Sequence, residues 1–521
     1  MCALLLLAGG AAGQEVYFPD PDLAFQIRAD LHLADDHVIT QADMLTLRRL
    51  GQSGYWTGHV ISDLTGIEYA TNLRYVALGP GGALVGHQIS DLSPLSGLTS
   101  LTGVGLADNL ISDVSPLSGL TGMTGLSLSG NQITDISPLS GMTGMVGLEL
   151  ARNQISDITP LSGMTALVRL DLNSNQIADF SALSALSALE TLWLHNNLIA
   201  GVPALSGMTG LRELLLFKNQ ISDISGLCGL PNVRELSLSN NRITDITALS
   251  GLATLEKLVL ASNQISDIAA LSGLSSLRWL SVSDNQVSFP VLSNLPNLES
   301  IYLAGNHISD LSGLAGINSL RTLWADRNEL ADLTRIPAFS NLSSLTLAAN
   351  GITDLSPLAV FSGLQTLFLR NNQIADVTSL GGLTNLVDLY LDYNRITDIS
   401  ALGSLPNLTL LYATHNQITV IPPLSGMTSL LWLHLDGNQI EDISGLSGLG
   451  AVEALWLANN RIADISALAG LTTLINLDLR GNPLNEEAYS IYLPLAYDPI
   501  PEPGVLLILA LGAAGLRFRR N

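Results

Sequence analysis

Leu120–Leu139, LTGMTGLSLSGNQITDISPL, is the stretch on which the reading of the whole chain turns. Aligned on Asn131, an asparagine recurs at 109, 131, 153, 175, 197, 219, 241, 263 and 285. After one 21-residue step the series resumes at 306 and runs through 328, 350, 372, 394, 416, 438, 460 and 482. Eighteen asparagines thus stand in register at a 22-residue spacing, and His87 holds the same place one spacing earlier. Leu126 and Leu128 alternate with Ser127, so an extended backbone sends the leucines to one side and the serine to the other.

The surrounding pattern, L-x-x-L-x-L-x-x-N, is that of a leucine-rich repeat. A 22-residue unit cannot bury its own apolar side. It must stack on its neighbours, with its short strands paired in parallel about 4.8 Å apart. An asparagine amide both donates and accepts, so it can satisfy backbone groups that a tight turn leaves unpaired. The asparagines, among them Asn131, Asn153, Asn175, Asn219, Asn263, Asn372 and Asn438, therefore read as a structural ladder.

Composition narrows the function classes. The 521 residues carry 45 acidic and 22 basic side chains, a formal charge of -23, and 47% of them are hydrophobic. Such an acidic surface argues against nucleic acid, whose phosphates need basic groups. Cys2 and Cys228 give no disulfide framework, and Cys228 in GLCGLP reads as a core thiol.

Residues 1–13 hold an apolar run, ALLLLA, and a small-residue stretch, which reads as a signal-peptide-like segment. Residues 14–58 read as a helical cap. Asp20-Pro21 opens one helix over DLAFQIRADL, and Thr40 with Asp43 caps a second over QADMLTLRRL. Residues 59–484 are the repeats, with an inserted loop, GPGGALVG, before His87, and 485–499 read as a closing cap.

FPDPDLAFQIRADL, VITQADMLTLRRL and ISDLTGIEYATNL, followed by tandem NQITDISPLSGMTGL units, resemble the internalin-type bacterial leucine-rich repeat proteins. The resemblance implies an α/β repeat solenoid, a right-handed arc with a parallel concave β-sheet, 3₁₀ or irregular turns on the convex side and a helical amino-terminal cap. It also implies that the concave face binds a partner protein.

Four residues after fourteen of the asparagines stands an aspartate, as in Asp113, Asp135 and Asp354. It reads as a cap on a short helical turn. A calcium ladder is the competing reading, but one row of carboxylates does not supply six to eight converging oxygens. On the strand side, the residue four before each asparagine projects outward, and there the repeats differ. From Tyr302 to Trp456 that position holds Tyr302, Trp324, Thr346, Phe368, Tyr390, Tyr412, His434 and Trp456, with Trp193 earlier in the chain. Phe217, Trp279 and Trp432 add outward neighbours. A contiguous strip of exposed rings exceeds what a monomer leaves in water, and Tyr and Trp are enriched at binding hot spots. These eleven aromatic and histidine residues are the candidate ligand-binding set, for a protein or for a polysaccharide whose sugar rings stack on them.

The sequence offers little chemistry. The eight histidines form no metal-spaced pair, and no phosphate loop or nucleophile elbow is present. The expectation is no cofactor, no metal and no enzyme. His434, Asp436 and Asp478 can approach one another on adjacent strands, but without a nucleophile or a closed pocket.

Residues 500–521 contain Pro501-Glu502-Pro503, an apolar run from Gly504 to Leu516, and Arg517, Arg519 and Arg520. Together they resemble the PEP-CTERM sorting tail of Gram-negative and related bacteria. That resemblance implies processing by an exosortase-like enzyme, and export to the envelope, cell surface or extracellular matrix. Thirteen apolar residues fall short of the roughly 20 a full span prefers, so the tail reads as a transient inner-membrane anchor. The leading expectation is an exported recognition or adhesion protein. The alternative is an intracellular scaffold resembling the leucine-rich regulatory subunit of a protein phosphatase.

Overall fold

The computed structural model describes residues 13–51, 60–79 and 87–485. The signal-like segment up to residue 12, the inserted loop from residue 80, the closing cap from residue 486 and the sorting tail lie outside them. The chain divides into two compact units, residues 1–263 and 264–521.

The first unit opens with helix α1, Pro21–Asp30, capped as the sequence suggests: Asp20 Oδ1 accepts from the N–H groups of Asp22 and Leu23, with proline at the first turn. The other carboxylate oxygen of Asp20 accepts from Ser62 and Asp63, tying the cap to the first coil. The second helix is shorter than expected. α2 spans only Gln41–Met44, held by a capping box between Thr40 and Asp43. The chain then leaves the helix, because Arg49–Leu50 forms strand β1 and pairs in parallel with Tyr75–Ala77, β2. Ladder hydrogen bonds and burial of Leu47 and Leu50 outweigh the helical preference of TLRRL.

Among the described residues ten strands lie in each unit. In the first, each pairs in parallel with the next from β1 to Lys257–Val259. In the second, the run goes from Trp279–Ser281 to Asn476–Asp478 in unbroken register. The 21-residue coil between Asn285 and Asn306 keeps that register, Trp279 opposite Ser300, and lacks a 3₁₀ turn. The middle residue of each strand is a buried aliphatic such as Leu126, Leu214, Leu345 or Leu433, and the core is a ladder of these with Leu128, Ile133, Ile136 and their equivalents. Burying each such side chain is worth about 1.5–3 kcal/mol.

The asparagine ladder behaves as its chemistry suggests. Asn131 Nδ2 donates to the carbonyls of Leu128 in its own coil and Leu106 in the preceding one, while its Oδ1 accepts from Ile111 N–H. His87 does the same work at the first coil, its Nδ1 accepting from Ile61 N–H. Directly before every one of the eighteen asparagines the backbone turns left-handed, at Gly130, Gly305, Gly437 and Gly481 but also at fourteen residues with side chains, Arg152, Ala349 and Tyr393 among them. Gly130 has a second reason to be glycine. Arg152 reaches over it to Asp108, 2.9 Å away, and a Cβ there would collide with the Asp108 carboxylate.

On the opposite side, all fourteen repeat aspartates accept a hydrogen bond from the N–H two residues on, as Asp113 does from Ser115 at 2.8 Å and Asp354 from Ser356. They brace the start of each turn as Asx turns rather than capping it from the position directly before. Cys228 corrects the expectation of a core thiol. It is exposed, because Leu227 and Leu230 take the inward places and Cys228 stands where other coils carry an outward serine.

Candidate functional site

The candidate site is the outward face of the strands in the second unit. The middle residue of each strand is sealed in the core, so its two neighbours must point out, and no ring of the candidate set is buried. Trp324 is 42% exposed and Trp432 45%; Tyr390, Tyr412, His434 and Trp456 are half-buried against one another.

The rings form two stacks. Trp279 meets Tyr302 at 4.9 Å, tilted, and Tyr302 meets Trp324 edge-on at 4.9 Å. Thr346 then interrupts the series. It is 4% exposed, its hydroxyl held by Asp326 at 2.9 Å. Beyond it five rings run without a break: Phe368 on Tyr390 at 4.0 Å, Tyr390 on Tyr412 at 5.1 Å, Tyr412 on His434 at 3.8 Å and His434 on Trp456 at 3.7 Å, all within 13° of parallel. Parallel register makes this possible, since Phe368, Tyr390, Tyr412, His434 and Trp456 are direct cross-strand partners. Trp432, on the neighbouring column, faces solvent beside them.

Burial between two rings holds His434 neutral, its pKa pushed down to about 4, and its Nε2 has no hydrogen-bond partner among the described residues. Alongside the rings runs a row of which the sequence reading named only Asp436: Asp326, Asp392 and Asp436, two residues past the ring column. Burial raises the carboxyls of Asp326 and Asp436 above the ordinary range, against hydrogen bonds from Ala348 and Ala458 that favour the charge. Asp392 is 2% exposed. Its Oδ1 accepts from Thr414, while its Oδ2 has no hydrogen bond and only Arg370 Nε at 3.9 Å. The signal was available: the chain stays extended past the strand proper, so every second residue continues to face outward. His434, Asp436 and Asp478 form no hydrogen-bonded cluster, although Asp478 lies near enough to help raise the Asp436 carboxyl. The first faces two rings, the second bonds Ala458, and the third is held by Arg480.

Trp193 and Phe217 stand apart, in the first unit. Trp193 donates to Glu213 at 2.9 Å and lies under the Arg169 guanidinium at 4.5 Å, while Phe217 stacks on His195 at 4.2 Å. Around them the strand face is charged and internally paired, Arg234 with Glu256 and Lys257 with Glu235. The ladder amides named from sequence, Asn131 to Asn438, all point into the turns and take no part in this face. Among the described residues no group of three His, Cys, Asp or Glu side chains is placed to hold a metal, and no helix is long and apolar enough to cross a membrane.

Comparison with known proteins completes the description. Residues 99–141, 121–163, 143–185, 165–207, 187–229, 275–316, 362–404 and 406–448 match the family described as Leucine Rich repeats (2 copies), and 231–287 match Leucine rich repeat. Together these cover more than half of the chain. Residues 499–521, which include Pro501, Glu502, Pro503 and the three terminal arginines, match the PEP-CTERM protein-sorting motif. No curated protein matches the chain. Among solved structures, an internalin of Listeria monocytogenes, InlF, is 32% identical over 75% of this chain and 95% of its own, with a TM-score of 0.46. InlJ of the same organism is 23% identical over 79% of this chain and 83% of its own, with a TM-score of 0.59. A leucine-rich repeat protein of Leptospira interrogans is 21% identical over 80% and 98%, with a TM-score of 0.60. The last two share the fold. By its matched repeats the chain belongs to the leucine-rich repeat proteins, and it ends in a PEP-CTERM sorting motif.

Proposed function

We propose that this chain is an exported recognition protein, without catalytic chemistry of its own, whose second unit binds a partner protein on its strand face. The observation that carries the reading is the five-ring stack from Phe368 to Trp456, held outward by strands whose leucines are all committed to the core. Flat surface rich in Tyr and Trp is the make-up of an interface hot spot. Asp392, with one oxygen lacking a hydrogen bond, and Asp436 favour a partner that brings basic side chains to the rim of the rings. The sorting motif supports export to the envelope or surface after cleavage by an exosortase-like enzyme, and against it the intracellular regulator loses ground, since such a protein needs no sorting tail. A Gram-negative-type host belongs to the same proposal.

The test replaces Trp324, Tyr390 and Trp456 together by alanine and compares cross-linked capture of envelope proteins by the two chains. The expected result is loss of the captured partner with the circular-dichroism signature of the strands retained, because no core leucine has changed. Equal capture by the triple variant overturns the proposal. Glycan-array binding that the triple variant loses, with no captured protein, reassigns the same face to polysaccharide.

A further inference from the structure

A second surface, in the first unit and far from the rings in sequence, has the features of a ligand site. Arg48, Arg49, Arg74, Tyr75 and Thr102 line a depression of about 340 Å³ on the first three coils. Register puts them together. Arg49 lies opposite Tyr75 on β1 and β2, and Tyr75 lies opposite Gly103 on the next strand, Gly103–Gly105, β3. Gly103 permits the arrangement, because a Cβ there would fall 2.6 Å from the Tyr75 ring, which lies across the glycine and stays 42% exposed.

The charge of the site is what sets it apart. Farther along the same unit the basic side chains of the strand face meet carboxylates on a neighbouring coil: Arg169 with Glu149, Arg212 with Glu190, Arg234 with Glu256, Lys257 with Glu235. Arg48, Arg49 and Arg74 make no such ion pair among the described residues. Among the described residues Arg48 donates only to the Asn72 carbonyl. The segments 1–12, 52–59 and 80–86 contain no Asp or Glu, and the acidic residues outside the described ones, Glu486, Glu487, Asp498 and Glu502, all belong to the other end of the sequence. Three guanidiniums on adjacent coils repel one another, and a chain with 45 acidic side chains had ample means to neutralise them. Unopposed positive charge gathered around a hollow and an exposed ring is a place for an anion.

We propose that this pocket binds an acidic sugar residue, one carboxylate-bearing unit of a polysaccharide. The guanidinium fork suits a carboxylate held by two parallel hydrogen bonds. The Tyr75 face suits the apolar side of a pyranose ring, and the Thr102 hydroxyl can accept from a ring hydroxyl. The volume sits at the small end of ligand pockets, enough for one ring and too little for a protein loop or helix. A nucleic acid needs a long basic track, which three arginines on a chain of charge -23 do not provide.

The experiment is titration calorimetry on the full chain with trigalacturonic acid, maltotriose, hexaglutamate and sodium sulfate as probes. Trigalacturonic acid is expected to bind, more weakly as salt rises, and maltotriose not to bind. Arg49→Gln with Arg74→Gln is expected to weaken trigalacturonic acid by about tenfold or more. The double lysine variant, Arg49→Lys with Arg74→Lys, keeps the charge and loses the fork, and is expected to fall between. Neither should lower the melting temperature, since both sites are exposed and unpaired. Tyr75→Ala is expected to weaken the sugar while leaving any sulfate binding unchanged. Tighter binding of hexaglutamate moves the site to acidic peptides and overturns the proposal. So do sulfate binding as tight as the sugar, unchanged binding by the glutamine variant, or no binding of trigalacturonic acid.

Discussion

The two units are built alike inside and differ in what they show. Leu170 and Leu389 are buried alike, and Asn175 and Asn394 make the same three-way bonds. Yet the outward positions flanking those leucines are Arg169 and Asp171 in the first unit, Asp388 and Tyr390 in the second. Beyond its first three coils the first face pairs its charges across coils; the second stacks its rings. A strand whose inward residue does all the packing leaves its outward residues to be chosen for something else. That separation of duties is what a repeat fold offers a recognition protein.

The largest expected effect lies in what the units share. Asn175→Ala in the first and Asn372→Ala in the second each strand buried groups; for Asn372 these are the N–H groups of Asn350 and Ile352 and the carbonyls of Leu347 and Leu369. Each change is expected to cost about 3 kcal/mol or more, read by urea unfolding. A clearly smaller loss in either unit would mean that the outward residues carry stability there, and the comparison would fail.

Next in size is the ring stack. Tyr412→Ala removes two ring contacts, at 5.1 and 3.8 Å, and should cost about 1–3 kcal/mol. The matched change in the first unit, Glu235→Ala, breaks an exposed pair with Lys257 and should cost under about 1 kcal/mol. If the two losses are equal, the rings are no better coupled than surface charges.

Much of this was legible from residues 120–139. Leucine period and asparagine spacing specify the core, the parallel pairing and the outward ring column, because period two leaves no other side for those rings. Asp20 and Pro21 specified α1 for the same local reason. The length of α2 was not legible: TLRRL has helical spacing, and only pairing with Tyr75–Ala77, some 25 residues on, makes Arg49–Leu50 a strand. The left-handed residue before each asparagine was also hidden, since Arg152, Ala349 and Tyr393 have no preference for that conformation and adopt it because the asparagine bonds hold the turn. Whether neighbouring rings lie flat or edge-on depends on side-chain packing that alternation does not encode, as Tyr302 on Trp324 and Tyr390 on Tyr412 show. Thr346, which splits the strip, reads from sequence as a gap; only its bond to Asp326 explains why it is filled.

The third effect is smaller, because water still reaches the half-buried ring. His434 has a folded pKa of about 4, below the ordinary 6.5, so as pH falls the unfolded chain takes up its proton first. Stability is therefore lost progressively from about pH 6.5 down to about 4, and Asp113, Asp157 and Asp223, whose carboxyls are held below the ordinary range by their Ser and Thr partners, add a further loss only below that window. His87 and His195 shift the same way as His434 by burial. Replacing His434 with Phe keeps a ring between Tyr412 and Trp456 and removes its share. The melting temperature of His434→Phe is expected to fall less steeply between pH 6.5 and 4 than that of the parent, and an unchanged slope would show that the histidine is not held neutral by the stack.

The smallest effect separates the two faces by their response to salt. A double-mutant cycle on Glu235→Gln and Lys257→Gln measures a pair 2.6 Å apart but 35% and 46% exposed. Its coupling should be about 0.5 kcal/mol or less and should shrink in 1 M salt, where the Debye length falls to roughly 3 Å. A cycle on Tyr412→Ala and His434→Ala at neutral pH measures two uncharged rings 3.8 Å apart, and salt has no charge there to screen. Its coupling should persist, at about 0.5–1.5 kcal/mol. Persistence in the second cycle with loss in the first means that the ring face keeps its shape under conditions that release the charged face, and a partner held mainly by the rings should then tolerate salt in the same way.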